Sequence, residues 1–212
     1  MIDAVVVCPS PPMLLPEYVG LQDPAGPIRD RCVDAIRSAL RSGDAAFDVA
    51  VVVTGREPNP RTHKPPLGVR IGEHLLATAG WTGPVEHVVV PFDADASVVE
   101  QAGAALAARG DRVLLLVVAD GSARRSEKAP GHLDERAFAV DEQLLEGLRD
   151  VRPERLLALD PELAAEVLAS GRAALQVLAH AVSGAPGLGG GLLWSGDPYG
   201  VMYAIAAWTR SA

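Results

Sequence analysis

Four short apolar runs set the rhythm of the chain: IDAVVVC (2–8), FDVAVVVTG (47–55), VEHVVVPF (85–92) and RVLLLVVAD (112–120). Each is rich in Val or Leu, stops at or beside Pro, Gly or Asp, and lacks polar alternation. Runs of that length and texture predict strands buried on both faces. Helical spacing fills the gaps. PIRDRCVDAIRSAL (27–40) sets Ile28, Cys32, Ala35, Ile36 and Leu40 on one face. SVVEQAGAALAARG (97–110) repeats the pattern and stops at Gly110. With a short helix between the second and third runs, the order is β, α, β, α, β, α, β. It predicts a three-layer α/β/α fold with a central, mainly parallel sheet.

The second half reads as more helix. AFAVDEQLLEGLRD (137–150), DPELAAEVLAS (160–170) and GRAALQVLAHAVSG (171–184) are amphipathic or apolar, with Asp160 placed as an N-cap before Pro161. GAPGLGGG (184–191) predicts a turn, GLLWSG (191–196) a last strand, and YGVMYAIAAW (199–208) a final helix with an apolar surface suited to a homo-oligomer contact. No repeat or long polar linker divides the chain, so residues 1–212 are expected to form a single domain.

Composition narrows the picture. Of 212 residues, 49% are hydrophobic but only 4% aromatic, so the core must be built from Ala, Val and Leu. The net charge of −8 lacks the basic footprint that phosphate neutralisation requires, and no nucleic-acid partner is expected. Cys8 and Cys32 form neither a disulfide framework nor a zinc pattern, and read as buried thiols of a reducing compartment. The start, MIDAVVVCPS, has no basic segment and too short an apolar run for a signal peptide or membrane span. A cytoplasmic protein without a membrane partner is the expectation.

Open α/β sheets carry their sites beyond the carboxyl ends of the strands. That rule selects the loops 9–16, 55–66, 93–96 and 120–136. The last, DGSARRSEKAPGHLDER, packs eight charges into seventeen residues, and a connector of that length is usually functional or disordered. Asp120, Ser122 and His132 are its candidate catalytic groups. Arg124, Arg125 and Lys128 are its candidate cations for a carboxylate or phosphate. Ser10 is the polar side chain of the first loop. In the second, Arg56 offers charge and His63 a base or ligand. The expected partner is therefore a small, anionic molecule bound by Ser10, Arg56, His63, Asp120, Ser122, Arg124, Arg125 and Lys128. No H-E-x-x-H, paired-His or Gly-rich phosphate motif occurs, so no metal or cofactor is expected. The alternative is a dispersed iron site of His63, His132 and Asp120.

Three stretches together resemble the catalytic subunits of class III extradiol ring-cleavage dioxygenases, the LigB-like family: PSPPMLLPE (9–17), DGSARR…APG…D (120–134) and PYGVMYAIAAW (198–208). The resemblance implies the LigB-like α/β fold. It also implies Fe(II) on two His and a carboxylate, with a further His as acid/base. Ser10 stands where the first ligand His is expected, Gly55 and Arg56 where the second is, and Ala123 where the acid/base His would lie. Asp197 is the nearest carboxylate in the C-terminal part. Neither serine nor arginine replaces a neutral imidazole on iron. The expectation is a divergent LigB-like protein that keeps the pocket and not ring cleavage. A metal-dependent oxidoreductase with relocated ligands, or a non-catalytic subunit, are the alternatives.

Overall fold

The computed structural model describes residues 1–42, 46–56, 64–185 and 187–210. The first half follows the predicted alternation: β1 (Ile2–Cys8), α1 (Gly26–Arg41), β2 (Val49–Arg56), α2 (Leu67–Ala79), β3 (Val85–Pro91), α3 (Ala96–Ala107) and β4 (Val113–Val118). Then come α4 (Arg136–Arg149), α5 (Pro153–Leu157), α6 (Pro161–Glu166) and α7 (Arg172–Val182), and finally β5 (Leu188–Gly196) and β6 (Tyr203–Arg210). The six strands make one sheet in the order β3-β2-β4-β1-β6-β5. β3, β2, β4 and β1 are parallel, and β6 runs antiparallel to both β1 and β5.

Side-chain alternation divides the two cores. Val49, Val51 and Val53 of β2 and Val113, Leu115 and Val117 of β4 face α3 to α7. Ala50, Val52, Leu114, Leu116 and Val118 face α1 and α2. Helices on both faces leave the central strands no polar side, which is why those runs show no alternation. The fold is α/β in three layers, as expected. β3 is the exception: it is an edge strand, and Glu86 and His87 are exposed.

The C-terminal part departs from the helical reading. Residues 203–210 form β6, inside the sheet between β1 and β5. Ala204, Ala206 and Trp208 join one core, while Tyr203 and Ile205 join the other. A strand buried on both faces shows the same unbroken apolarity as a buried helix, and its alanines favour the helical reading. Met202 to Ala206 and Trp208 are buried, while Tyr199, Val201 and Ala207 are half-buried. The GLGGG tract is likewise not a turn: Leu188–Gly191 pair with Arg210–Ala207 as the first half of β5. Among the described residues no helix is long and apolar enough to cross a membrane.

Candidate functional site

The path of the chain opens a crevice at the carboxyl ends of the central strands. β1 and β2 lead into α1 and α2 on one face, whereas β4 between them leads into helices of the other face. Neighbouring strands whose connections diverge in this way leave a gap beyond their ends. A cleft of about 700 Å³ lies there, of the size that holds small molecules. Ser10, Arg56 and Asp120 line it, together with Lys64, Arg70, Tyr18, Phe92 and the Ser170–Gly171 turn before α7.

Each wall has a local cause. The Pro-rich exit of β1 folds into two single turns, Pro12–Leu14 and Pro16–Tyr18. Arg29 of α1 fastens them by donating to the carbonyls of Leu14 (2.9 Å) and Met13 (2.6 Å). Ser10 is thereby held against Asp120, donating its N–H to Oδ1 and its hydroxyl to Oδ2, both at 2.6 Å. The Asp120 backbone is fixed from the other face, where Gly171 N–H donates to its carbonyl at 3.0 Å. A Cβ on Gly171 would stand 2.3 Å from that carbonyl oxygen, so only glycine permits the contact.

Asp120 is enclosed and has no cation partner among the described residues. Burial raises its pKa to about 6, and the two Ser10 hydrogen bonds pull the other way. The same cleft is also lined by cations. Arg56 ends β2, and no described carboxylate pairs with it. Lys64 precedes α2, and Arg70 sits in its first turn, ion-paired with Glu17 and 5.9 Å from the Tyr18 ring. α2 opens on Pro66, Leu67 and Gly68 with no side-chain cap and no acid in its first turn. Its amide dipoles add positive potential to that wall. Phe92, Leu67, Val118 and Ala119 supply apolar lining.

Most of the 120–136 loop is directed elsewhere. Ser122 is fully buried beyond the end of β4, donating its N–H (2.8 Å) and hydroxyl (2.5 Å) to Asp141 of α4. Arg125 bridges Asp141 and Asp197 and lies 4.5 Å over the Phe138 ring. Arg124 pairs with Asp134. His132 is 71% exposed and pairs with Glu127. Lys128 is exposed. None of these five lines the cleft, a correction to the expectation that the loop's charges converge on one pocket. Arg124, Arg125 and His132 pair with Asp134, Asp141, Asp197 and Glu127, and Lys128 is exposed: beyond the end of β4, a stretch without regular structure meets most of its charges with partners from the protein itself. His63 lies outside the described residues.

Ser10 and Arg56 stand where the resemblance implies histidines, and His132 does not line the cleft with Asp120. Among the described residues no cluster of three His, Cys, Asp or Glu side chains is placed to hold a metal. Lys64 belongs to the 54–68 loop that the sequence offers as a source of cations; Arg70 and the Ser170–Gly171 turn were missed. Arg70 follows the Pro65-Pro66 pair at a helix start, which was a usable signal; the turn has none, because it comes from before a remote helix. No family model and no curated protein matches the chain.

Proposed function

We propose that the protein is a divergent member of the class III extradiol dioxygenase fold that binds a small anion at its strand ends and does not cleave aromatic rings. The observation that carries this reading is the convergence of Arg56, Lys64, Arg70 and the uncapped start of α2 on one cleft, in a chain whose net charge is −8. A cationic wall on an acidic protein is held against the general field and concentrates anions locally. The serine and arginine at the expected metal positions support a binding or non-iron role.

The test is a thermal-shift and calorimetric screen with acetate, oxalate, sulfate, inorganic phosphate and short dicarboxylates at low ionic strength. At least one is expected to raise the melting temperature saturably, and Arg56→Ala to weaken it tenfold or more. An Arg56→Ala protein that binds as tightly as the parent overturns the reading, as does a screen in which no anion binds.

A further inference from the structure

The cleft holds an acid as well as cations, and that acid is oriented rather than neutralised. Both Asp120 oxygens accept from Ser10, which fixes the carboxylate of a residue that lines the cleft and still leaves acceptor capacity on each oxygen. A bare anion placed against Arg56 and Lys64 would share the cavity with an uncompensated carboxylate, a repulsion that weakens binding. A ligand that carries its own cation removes that repulsion and supplies the partner that Asp120 lacks. We infer that the cleft recognises a zwitterion: an ammonium group against Asp120 and a carboxylate or phosphate against Arg56, Lys64 and the start of α2. The inference rests on the anion-site reading above and adds the second charge. Phe92, Leu67, Val118 and Ala119 suit an apolar spacer or side chain between the two charges.

The surroundings of Asp120 agree with this. From β1 it meets Ser10; from β6 it meets Tyr203, whose phenol it helps hold protonated; from the start of α7 only backbone reaches it, as Arg172 there is committed to the carbonyls of Phe92 and Ala94. Among the described residues the charged groups on the β2 side are Arg56 and Lys64, which line the same cleft. Since burial holds the free Asp120 carboxyl at a pKa of about 6, an arriving ammonium must find it ionised. Zwitterion affinity is therefore expected to fall as pH drops below about 6, whereas a bare anion gains or holds affinity there.

Matched probe pairs test the idea. They are α-amino acids against their des-amino acids, ω-amino acids of two to six carbons against the corresponding fatty acids, and phosphoethanolamine against ethyl phosphate. Each is titrated calorimetrically at pH 8 and pH 5. At least one amino member is expected to bind tenfold or more tightly than its partner at pH 8, and to lose that advantage at pH 5. Asp120→Asn, a near-isostere that can accept from the Ser10 N–H through Oδ1 and donate from Nδ2 to the Ser10 hydroxyl, is expected to bring the pair within twofold while leaving the des-amino member's affinity equal or better. If des-amino probes bind as well as amino ones and Arg56→Ala weakens both, the anion site stands and the zwitterion inference is overturned. If neither class binds, the anion reading itself fails and the inference with it.

Discussion

Ser10 and Asp120, 110 positions apart in the chain, meet through two hydrogen bonds of 2.6 Å at the floor of the cleft. One comes from backbone and one from a hydroxyl, so the contact divides by mutation. Ser10→Ala removes the hydroxyl donor alone. The Asp120 carboxyl is expected to titrate higher than its present pKa of about 6, because a bond that favours the ionised form is gone. Carbon-detected NMR of the Asp side-chain carboxyls reads this directly. An unchanged titration means the hydroxyl contributes nothing. The accompanying loss of stability is expected to be about 1 kcal/mol.

Asp120 also links stability to pH. Its pKa is raised from about 3.8 to about 6, so the fold prefers the protonated acid. The penalty is absent below about pH 3.8, grows through the interval between these values, and is complete above about pH 6. Asp120→Asn removes the charge and keeps the shape. The variant is expected to exceed the parent in stability by on the order of 2 kcal/mol at pH 7.5, with a difference near zero at pH 4. Denaturant titrations at the two pH values decide this. A constant difference would place the effect elsewhere.

The charges of the 120–136 loop are expected to matter for folding and not for ligand. Arg124→Ala, Lys128→Ala and His132→Ala should each leave the affinity of any anion found for the cleft within twofold. A tenfold loss in one of them would mean that the loop moves to join the site.

Asp141 is the load within that loop's anchor. It is fully buried and accepts from Ser122 and Arg125. Removing it strands buried donors, a change that typically costs about 3–5 kcal/mol. Asp141→Ala is expected to lower the melting temperature by about 10 °C, given the size of the domain. A loss under about 2 °C would show that Arg125 and Ser122 find water or other partners.

Gly68 tests the packing of α2 on β2. A Cβ there would stand 1.9 Å from Oγ1 of Thr54, itself buried and bonded to the Val118 carbonyl at 2.9 Å. Gly68→Ala is expected to cost about 2 kcal/mol or more and to shift the cationic wall, weakening anion binding. Thr54→Ala in the same chain should recover part of both. Wild-type stability in the single variant would mean that α2 is free to slide.

The sequence by itself determined the layers. The apolar runs 47–55 and 112–120 read as strands buried on both faces, and the faces of 27–40 and 97–110 as helices covering them. Asp160 could be read as a cap, and it accepts from the Leu163 amide at 2.7 Å. These are local properties, set by periodicity and by what a few adjacent residues can bury. That Ser10, Arg56 and Asp120 line one cleft was legible for a related reason: in a parallel sheet, residues just beyond strand ends face a common side. Tertiary structure alone decided the rest. Whether YAIAAW was helix or strand depended on a free place beside β1, since either form would bury it. Whether Arg125 met a ligand or Asp141 depended on where α4 packed. Charge density reports that polar groups need partners; only the fold supplies the partner, and for most of 120–136 it is the protein itself.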